Sequence, residues 1–252
     1  MAKLADIAEF INSYLRVGAF KDFPGSYNGV QFENSGEVSK IASAVDCGIE
    51  EVKAARKIGA NLLLVHHGMF WTAPIPIVKS NYEKVKNLVE GDIAVYSCHL
   101  PLDAHRQIGN SALIAKSLGL EISGGCFNLD GEDIAVVAKL GGIGRAELAR
   151  RLKKLFPDTY KGFEFGSENP NEIVICSGSG STSVLHLLDE GFDTLVCGEL
   201  KQGQYVYAQE SKINVYPCGH YATECCGIKA LAHLVAEKFS LEHEFIKSQN
   251  PL

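Results

Sequence analysis

The chain has 252 residues, of which 46% are hydrophobic and 21% are charged, and its formal net charge is −6. This composition indicates a globular protein with one large domain or two smaller ones, and no apolar run is long enough for a transmembrane helix. The acidic net charge and the lack of a long basic run argue against a nucleic-acid partner and against an anionic membrane surface.

The N-terminal residues 1–15 carry acids within an apolar pattern and lack a small-residue cleavage site. This pattern predicts an amphipathic helix and not a signal peptide. The eight cysteines contain no CxxC pair of the kind that a zinc ribbon needs. We therefore predict reduced thiols in a cytoplasmic protein, with disulfide bonds as the alternative.

Two stretches of the chain, residues 40–68 and 172–200, align without gaps. Each begins with a short β-type run, turns near a glycine, continues with a helical pattern, and ends with a second glycine and a second apolar run. The offset is constant at 132, since Ile41 aligns with Ile173 (173 − 41 = 132). Each stretch therefore predicts a strand–helix–strand unit.

A third strand repeats as well, beginning at Ile93 in the first copy and at Ile213 in the second. The offset there is 120 (213 − 93 = 120), so the first copy has twelve extra residues (132 − 120 = 12), which we place in the Pro-containing loop 68–80. Any two strand–helix–strand units resemble each other to some degree. Three elements that match in the same order favour an internal duplication.

These units predict an α/β fold with parallel strands and helices packed on the sheets. We expect two similar lobes, residues 1–127 and 128–252, separated by a boundary loop over 123–133 that is rich in Gly, Asn and Asp. The ligands of α/β sheets bind outside the carboxyl ends of the parallel strands. We expect a metal site between the lobes at such strand ends, to which the C-terminal helix contributes.

Polar residues follow the apolar strands of the first lobe. His66 and His67 come directly after a buried run, His99 ends the next strand, and Asp103 lies four residues further on. Neighbouring strand residues point to opposite faces, but a twist at the strand end can bring both rings to one cavity. Two metal ions would then give each of the adjacent imidazoles its own partner.

The second lobe carries His220 and Glu224 after the strand that matches the strand before His99. If a helix begins near Tyr221, these two residues lie one turn apart on one face and can converge on a cation. Taken singly, every candidate has a structural interpretation: Asp103 could cap a helix, and Glu224 could be a solvated first-turn acid. Taken together they predict a metal site.

The role of His99 is open between a metal ligand and a residue that donates a hydrogen bond to a ligand. The other histidines fit helices or loops and are expected to be structural: His105, His186, His233 and His243.

The motifs VHHG (65–68), LD (102–103) and GHYATE (219–224) resemble those of the NGG-interacting-factor-three-like family. Bacterial members of that family bear the name GTP cyclohydrolase type 2 homologue. The resemblance covers most of the chain, including SYNGVQFEN (26–34) and CSGSGS (176–181). The pair of VHHG and GHYATE at this separation is its most specific part.

The resemblance implies a toroidal homohexamer with a dinuclear centre of divalent metal ions in each subunit. The ligands carried over by motif are His66, His67, Asp103, His220 and Glu224. In the family pattern Glu224 bridges the two ions, His67 and Asp103 bind one, and His66 and His220 bind the other. Imidazole and carboxylate ligands without thiolate suit zinc, manganese or iron.

The chain departs from many members at residues 26–29, where it has SYNG in place of a tryptophan-aspartate-asparagine run. The departure concerns the role of that loop and leaves the implied metal ligands unchanged.

Two functions follow from these patterns. A pair of metal ions can activate water and polarise the bond that it attacks, so one hypothesis is a hydrolase acting on a nucleotide or related small molecule. The alternative is a non-catalytic metal-binding scaffold that forms a ring. No Walker-type loop is present, and the Gly-Ser segment 178–183 is better explained by a tight turn than by a phosphate site.

Overall fold

Strands and helices alternate along the computed structural model, which describes residues 1–70, 75–180 and 182–251. This alternation confirms the predicted α/β class. Within the described ranges, no helix is both long enough and apolar enough to cross a membrane.

The bounds of the elements are as follows. The strands are β1 Ala2–Lys3, β2 Gly29–Phe32, β3 Glu37–Val38, β4 Lys40–Asp46, β5 Leu62–His67, β6 Ala94–Ser97, β7 Glu121–Leu129, β8 Glu132–Lys139, β9 Phe163–Glu164, β10 Glu172–Cys176, β11 Thr194–Cys197, β12 Asn214–Pro217 and β13 Glu242–Phe245. The helices are α1 Leu4–Tyr14, α2 Ile49–Lys57, α3 Ser80–Glu90, α4 Leu100–Asp103, α5 Asn110–Ser117, α6 Arg145–Leu155, α7 Ser183–His186, α8 Gln202–Glu210 and α9 His220–Phe239.

The chain forms two compact units. Unit 1 contains residues 1–102 and 227–249, and unit 2 contains residues 103–226 together with the last residues of the chain. This division differs from the predicted lobes, 1–127 and 128–252, because two strands pair with the sheet of the other predicted lobe. β7 pairs with β8 and so joins the sheet of unit 2, whereas β13 pairs with β4 and so returns to unit 1.

Unit 1 is built on a sheet with the strand order β13-β4-β5-β6-β2, in which β4, β5 and β6 are parallel neighbours. All residues of the run 62–65 in β5 are fully buried. Such a continuous apolar run is typical of a parallel strand that is covered on both faces. On one face Leu63 and Val65 belong to a core that includes Val52 of α2 and Leu88 of α3.

Unit 2 is built on a sheet with the strand order β7-β8-β10-β11-β12-β9, in which β10, β11 and β12 are parallel neighbours. Its two faces carry separate cores. One core includes Leu148 and Leu152 of α6, and the other includes Val184 of α7 and Ala208 of α8. The parallel strands are thus buried on both sides, as their apolar sequences predict.

The two sheets share the register of their first two parallel strands. In unit 1 Ile41 of β4 lies beside Leu62 of β5, a separation of 21 residues (62 − 41 = 21). In unit 2 Val174 of β10 lies beside Leu195 of β11, which is the same separation (195 − 174 = 21). This agreement is consistent with the internal duplication that the sequence predicts.

The third parallel strand follows the same rule. Leu62 pairs with Ala94 in unit 1 (94 − 62 = 32), and Thr194 pairs with Asn214 in unit 2 (214 − 194 = 20). The difference of 12 equals the predicted number of extra residues in the first copy. Part of this insertion lies in the linker between β5 and α3, whose residues 71–74 lie outside the described ranges.

The segment 123–133 is part of a β-hairpin and not the boundary loop that its composition predicts. β7 and β8 pair in antiparallel register up to Leu129 and Glu132. The two residues between them, Asp130 and Gly131, have φ angles of 50° and 99°. An Asp-Gly pair with positive φ is a preferred two-residue hairpin turn, so the prediction misread a turn signal as a domain boundary.

We expect that Gly131→Ala destabilises the protein, because an L side chain at φ 99° is strained by about 1–2 kcal/mol. In a chain of this length that loss lowers the thermal midpoint by a few degrees, on the order of 2–8 °C. Gly124→Ala is the matched control, since Gly124 is exposed in the same hairpin, has no positive φ, and leaves open space for a Cβ. Equal midpoints for the two variants in scanning calorimetry would contradict this account of the turn.

Candidate metal centre

The adjacent histidines lie at the carboxyl end of β5. His66 is fully buried and His67 is half-buried. Their ring centroids are 4.8 Å apart and the rings are tilted by 39°, although neighbouring strand residues normally point to opposite faces. The strand end therefore brings the two imidazoles together, as predicted.

His99 lies close to this pair at the end of β6. Its ring centroid is 5.0 Å from that of His66 and 5.7 Å from that of His67. One ligand atom from each of the three residues lies within 4.8 Å of the others, so the group could hold a metal ion. This group belongs entirely to unit 1.

Each of these three rings uses Nδ1 to contact an oxygen that only accepts hydrogen bonds. The Nδ1 atom of His66 lies 2.9 Å from the backbone oxygen of Cys98, and that of His67 lies 2.8 Å from Asp46 Oδ1. The Nδ1 atom of His99 lies 2.9 Å from Asp22 Oδ1. A neutral imidazole that donates a hydrogen bond from Nδ1 carries its free lone pair on Nε2. In this tautomer Nε2 can bind a metal ion, while the hydrogen bond at Nδ1 fixes the orientation of the ring.

Asp22 anchors the loop before β2 to the end of β6. Its Oδ2 atom accepts hydrogen bonds from Asn28 Nδ2 at 2.8 Å and from the backbone N–H of Leu100 at 3.1 Å. Asn28 in turn accepts a hydrogen bond from the backbone N–H of His99 at 2.7 Å. Residues 26–29, whose role the sequence leaves open, thus help to orient His99.

The hydrogen bonds of Asp22 also change its acidity. Burial raises the pKa of the Asp22 carboxyl, but the hydrogen bonds from His99 and Asn28 outweigh this effect, and the pKa falls to about 2. The carboxylate is therefore ionised at neutral pH and can hold the His99 ring in one tautomer.

Unit 2 presents its own imidazole and carboxylates. α9 begins at His220, one residue before the predicted start, and the His220 Nε2 atom lies 3.2 Å from Glu224 Oε2. The Nδ1 atom of His220 contacts Glu199 Oε1. Burial lowers the pKa of His220, but the Glu224 and Glu199 carboxylates on either side of the ring outweigh this effect and raise the pKa to about 9.

Glu224 lies against the glycine turn that follows β10. A Cβ atom on Gly178 would collide with the Glu224 carboxylate, and the φ of 68° at Gly178 also favours glycine. The hydroxyl of Thr223 accepts a hydrogen bond from the N–H of Gly178 at 3.1 Å. The turn therefore supports α9 at Glu224, which agrees with the tight-turn interpretation of 178–183, although Ser181 lies outside the described residues.

Asp103, at the end of α4, is also buried. Its Oδ1 atom accepts hydrogen bonds from Asn110 Nδ2 at 2.8 Å and from Ser177 Oγ at 3.1 Å. α5 begins at Asn110 with Gly109 as its N-cap and without a side-chain cap, so Asp103 does not have the capping role that was its structural alternative. Two donors to one oxygen fix the orientation of the carboxylate.

Two of the other histidines contact different kinds of atoms. The Nδ1 atom of His105 accepts from the backbone N–H groups of Gln107 and Ile108, both at 3.3 Å. His243 contacts the hydroxyl of Ser43 through Nε2 at 2.8 Å. These contacts differ from those that hold the rings of His66, His67 and His99, and the structural role of His105 and His243 stays a prediction.

The donor set fits a divalent first-row metal ion. Imidazole nitrogens held by carboxylates or carbonyls, together with carboxylate oxygens, suit zinc, manganese or iron. All eight cysteines are free thiols, as predicted, and burial raises the pKa of Cys176 and Cys218 to about 12. Thiols of such high pKa stay protonated and are poor metal ligands.

The sequence analysis missed the carboxylates that hold the histidine rings: Asp22, Asp46 and Glu199. A signal for two of them was present. Asp46 directly follows the β-type run 41–45, as His66 follows the run 62–65. Glu199 aligns with His67 at the constant offset of the two stretches (199 − 67 = 132). Asp22 lies in a loop without a repeat or periodic pattern, and no sequence signal identifies it.

The fold and these side chains define an α/β protein of two units, each with imidazole and carboxylate groups at the carboxyl ends of parallel strands. A family model described as Duf34/NIF3 (NGG1p interacting factor 3) matches residues 2–251. The chain belongs to this family, which confirms the resemblance seen in the motifs.

Relatives and solved structures agree with this assignment. The chain is 34% identical to the GTP cyclohydrolase 1 type 2 homolog of Deinococcus radiodurans, over 96% of this chain and 91% of the relative. It is 33% identical to the protein of the same name from Archaeoglobus fulgidus, over 96% and 97% of the two chains.

Among solved structures, the chain is similar to the protein ybgI of unknown function, with a TM-score of 0.91, 29% identity and full coverage of both chains. TTHA1606 from Thermus thermophilus is similar with a TM-score of 0.87, 31% identity and full coverage of both chains. These similarities extend over the whole fold and not over one unit alone.

The pKa of Asp22 leads to a prediction about stability and pH. Because the folded-state pKa lies at about 2, below the ordinary value of 3.8, the carboxylate stabilises the fold above about pH 4 and loses this effect as the pH falls toward 2. At pH 7 we expect Asp22→Asn to lower the free energy of unfolding by about 1–2 kcal/mol, after allowance for solvent screening.

Urea unfolding from pH 7 to pH 2 measures this difference, which we expect to shrink below pH 4. Glu9→Gln, a change at an exposed acid of the same unit, is the matched control and should have little effect. A difference between wild type and Asp22→Asn that stays constant over the whole range would contradict the role assigned to the ionised carboxylate.

Proposed function

We propose that this protein binds two divalent metal ions per chain and uses them to hydrolyse a nucleotide or a related small molecule. The observation that carries the proposal is a set of four imidazoles near strand ends whose Nδ1 atoms face oxygens that can only accept hydrogen bonds. They belong to His66, His67, His99 and His220. Metal-ligating histidines have this arrangement, because the bond at one ring nitrogen fixes the tautomer and raises the basicity of the other.

The proposed ligands are His66, His67, Asp103, His220 and Glu224. If the chain follows the family pattern, Glu224 would bind both ions, His67 and Asp103 would hold one, and His66 and His220 would hold the other. Within unit 2, the short distance from His220 Nε2 to Glu224 Oε2 supports a common cation for these two side chains, since a metal ion would replace the proton on the imidazole.

A bound pair of ions would supply an activated water and polarise the bond under attack. The side chains of the protein have other tasks. Asp46, Asp22 and Glu199 hold imidazole rings in place, and Asn110 and Ser177 hold the Asp103 carboxylate. The substrate class follows from the name of the relatives, GTP cyclohydrolase 1 type 2 homolog, and is proposed for this chain on that basis. The cytoplasmic location stays a prediction from the cysteines.

A second candidate is a metal-binding scaffold that assembles into a homohexameric ring and catalyses nothing. It is favoured by large apolar side chains that are exposed on unit 1, because clustered apolar exposure is typical of interaction surfaces. From Phe70 to the end of α3, the described residues of this kind are Phe70, Ile75, Ile77, Val78, Tyr82 and Val89. Assembly alone is compatible with either function.

For the metal centre, we expect Glu224→Ala to reduce the content of both ions, because a bridging carboxylate serves both. His66→Ala should weaken mainly one ion. Elemental analysis after dialysis against a weak chelator measures both variants beside His233→Ala, a change at an exposed histidine of α9. Two metal ions retained by Glu224→Ala would contradict the bridging role.

For catalysis, we expect the metal-loaded protein to turn over at least one compound in a panel of GTP, other nucleotides and phosphoesters. His67→Ala should reduce the rate by at least about a hundredfold if the activated water depends on its ion, whereas His233→Ala should not. Chromatographic detection of products measures the rates. Metal binding without any turnover that depends on His67 would favour the scaffold function.

For assembly, we expect light scattering to give a mass six times that of the chain at micromolar concentration. Replacement of the exposed Ile77 by Asp should lower this mass if the apolar side chains before α3 are buried between subunits. A stable wild-type monomer would contradict the hexamer.

A further inference from the structure

His99 shares the surroundings of the proposed metal ligands, although the family pattern does not include it. It is almost fully buried at the end of β6, where its Nδ1 atom lies 2.9 Å from Asp22 Oδ1. His67 has the same arrangement with Asp46, at 2.8 Å. In both rings the carboxylate at Nδ1 leaves Nε2 as the nitrogen that can bind a metal ion.

The orientation of the His99 ring is fixed from several sides. Asp22 is held by Asn28 and by the backbone N–H of Leu100, and Asn28 also accepts from the backbone N–H of His99. Phe23 packs beside the ring with centroids 5.8 Å apart. A ligand that is held in position before the metal ion arrives loses less entropy on binding.

The fixed ring lies beside the two adjacent histidines. Its centroid is 5.0 Å from that of His66 and 5.7 Å from that of His67, and one ligand atom from each ring lies within 4.8 Å of the other two. Ligand nitrogens of a tetrahedral zinc site lie about 2.0–2.1 Å from the ion. Small movements of three side chains would bring their nitrogens to this distance.

A histidine outside the group provides the contrast. His243 is also in unit 1 and partly buried, but its contact is with the hydroxyl of Ser43 and is made through Nε2. The arrangement at His99 is therefore not a general property of the histidines in this unit.

We propose that His99 is a further metal ligand, which binds through Nε2 one of the ions held by His66 and His67, while Asp22 is its positioning residue. This inference rests on the proposed function, because it needs the protein to bind divalent metal ions. It replaces the alternative in which His99 only donates a hydrogen bond to a ligand.

The direct test is the crystal structure of the zinc-loaded protein, with the ions located by anomalous scattering. We expect His99 Nε2 at about 2.0–2.1 Å from one zinc ion. A distance of about 3 Å or more from every ion would overturn the inference while leaving metal binding intact. Loaded wild-type crystals without any zinc at these histidines would overturn the proposed function and the inference with it.

Zinc affinity in competition with a chromophoric chelator gives an independent test. Removal of a residue that only positions a ligand typically costs about 10–100-fold in metal affinity, so we expect about this loss for Asp22→Asn. For His99→Ala we expect a loss greater than about 100-fold for one ion, since a ligand itself is removed. His243→Ala is the matched control and should bind as wild type does. Equal affinities of His99→Ala and wild type would overturn the inference.

Discussion

The parallel pairing of β4, β5 and β6 is the constraint on which the candidate metal centre depends in unit 1. In a parallel sheet the carboxyl ends of adjacent strands lie at one edge. The register places Asp46 beside His67, and the end of β6 brings the Cys98 carbonyl to the His66 ring. The run 62–65 of β5 is buried on both faces of the sheet, and its pairing with β4 on one side and β6 on the other fixes this register.

The hydrogen bonds at this edge explain how polar rings can be buried there. An unsatisfied buried imidazole would cost about 1–3 kcal/mol, and a bond to an ionised carboxylate offsets that cost. The Asp46 and Asp22 bonds do so for His67 and His99. The same bonds set the tautomer, so the interactions that stabilise the fold also prepare the rings for a metal ion.

Unit 2 repeats the order and pairing of the three parallel strands of unit 1, but it carries different residues at the strand ends. Glu199 aligns with His67. In unit 1 the Asp46 carboxylate contacts the ring of His67, whereas in unit 2 the Glu199 carboxylate contacts the ring of His220. Matching positions of the two sheets thus carry an imidazole in unit 1 and a carboxylate in unit 2. The scaffold determines where polar groups lie, whereas the residue at each strand end determines their chemistry.

The family of the chain follows from its motifs alone, since VHHG and GHYATE identify it and a family model matches residues 2–251. The α/β class and the repeated strand register follow from hydrophobic periodicity, because a buried parallel strand needs a continuous apolar run. The candidate ligands were also visible in the sequence, because His66 and His67 directly follow such a run and the other three come shortly after one.

Only the tertiary structure decided which side chains hold the candidate ligands and where the units divide. Asp22 lies 77 residues from His99 in sequence, and the loop that carries it has no periodic pattern. The unit boundary depends on the pairing of β7 with β8 and of β13 with β4, which are contacts between strands and not properties of local sequence. Local residue patterns set the elements and their polar ends, whereas hydrogen bonds over long sequence separations set the partners, because such bonds form only after the chain has folded.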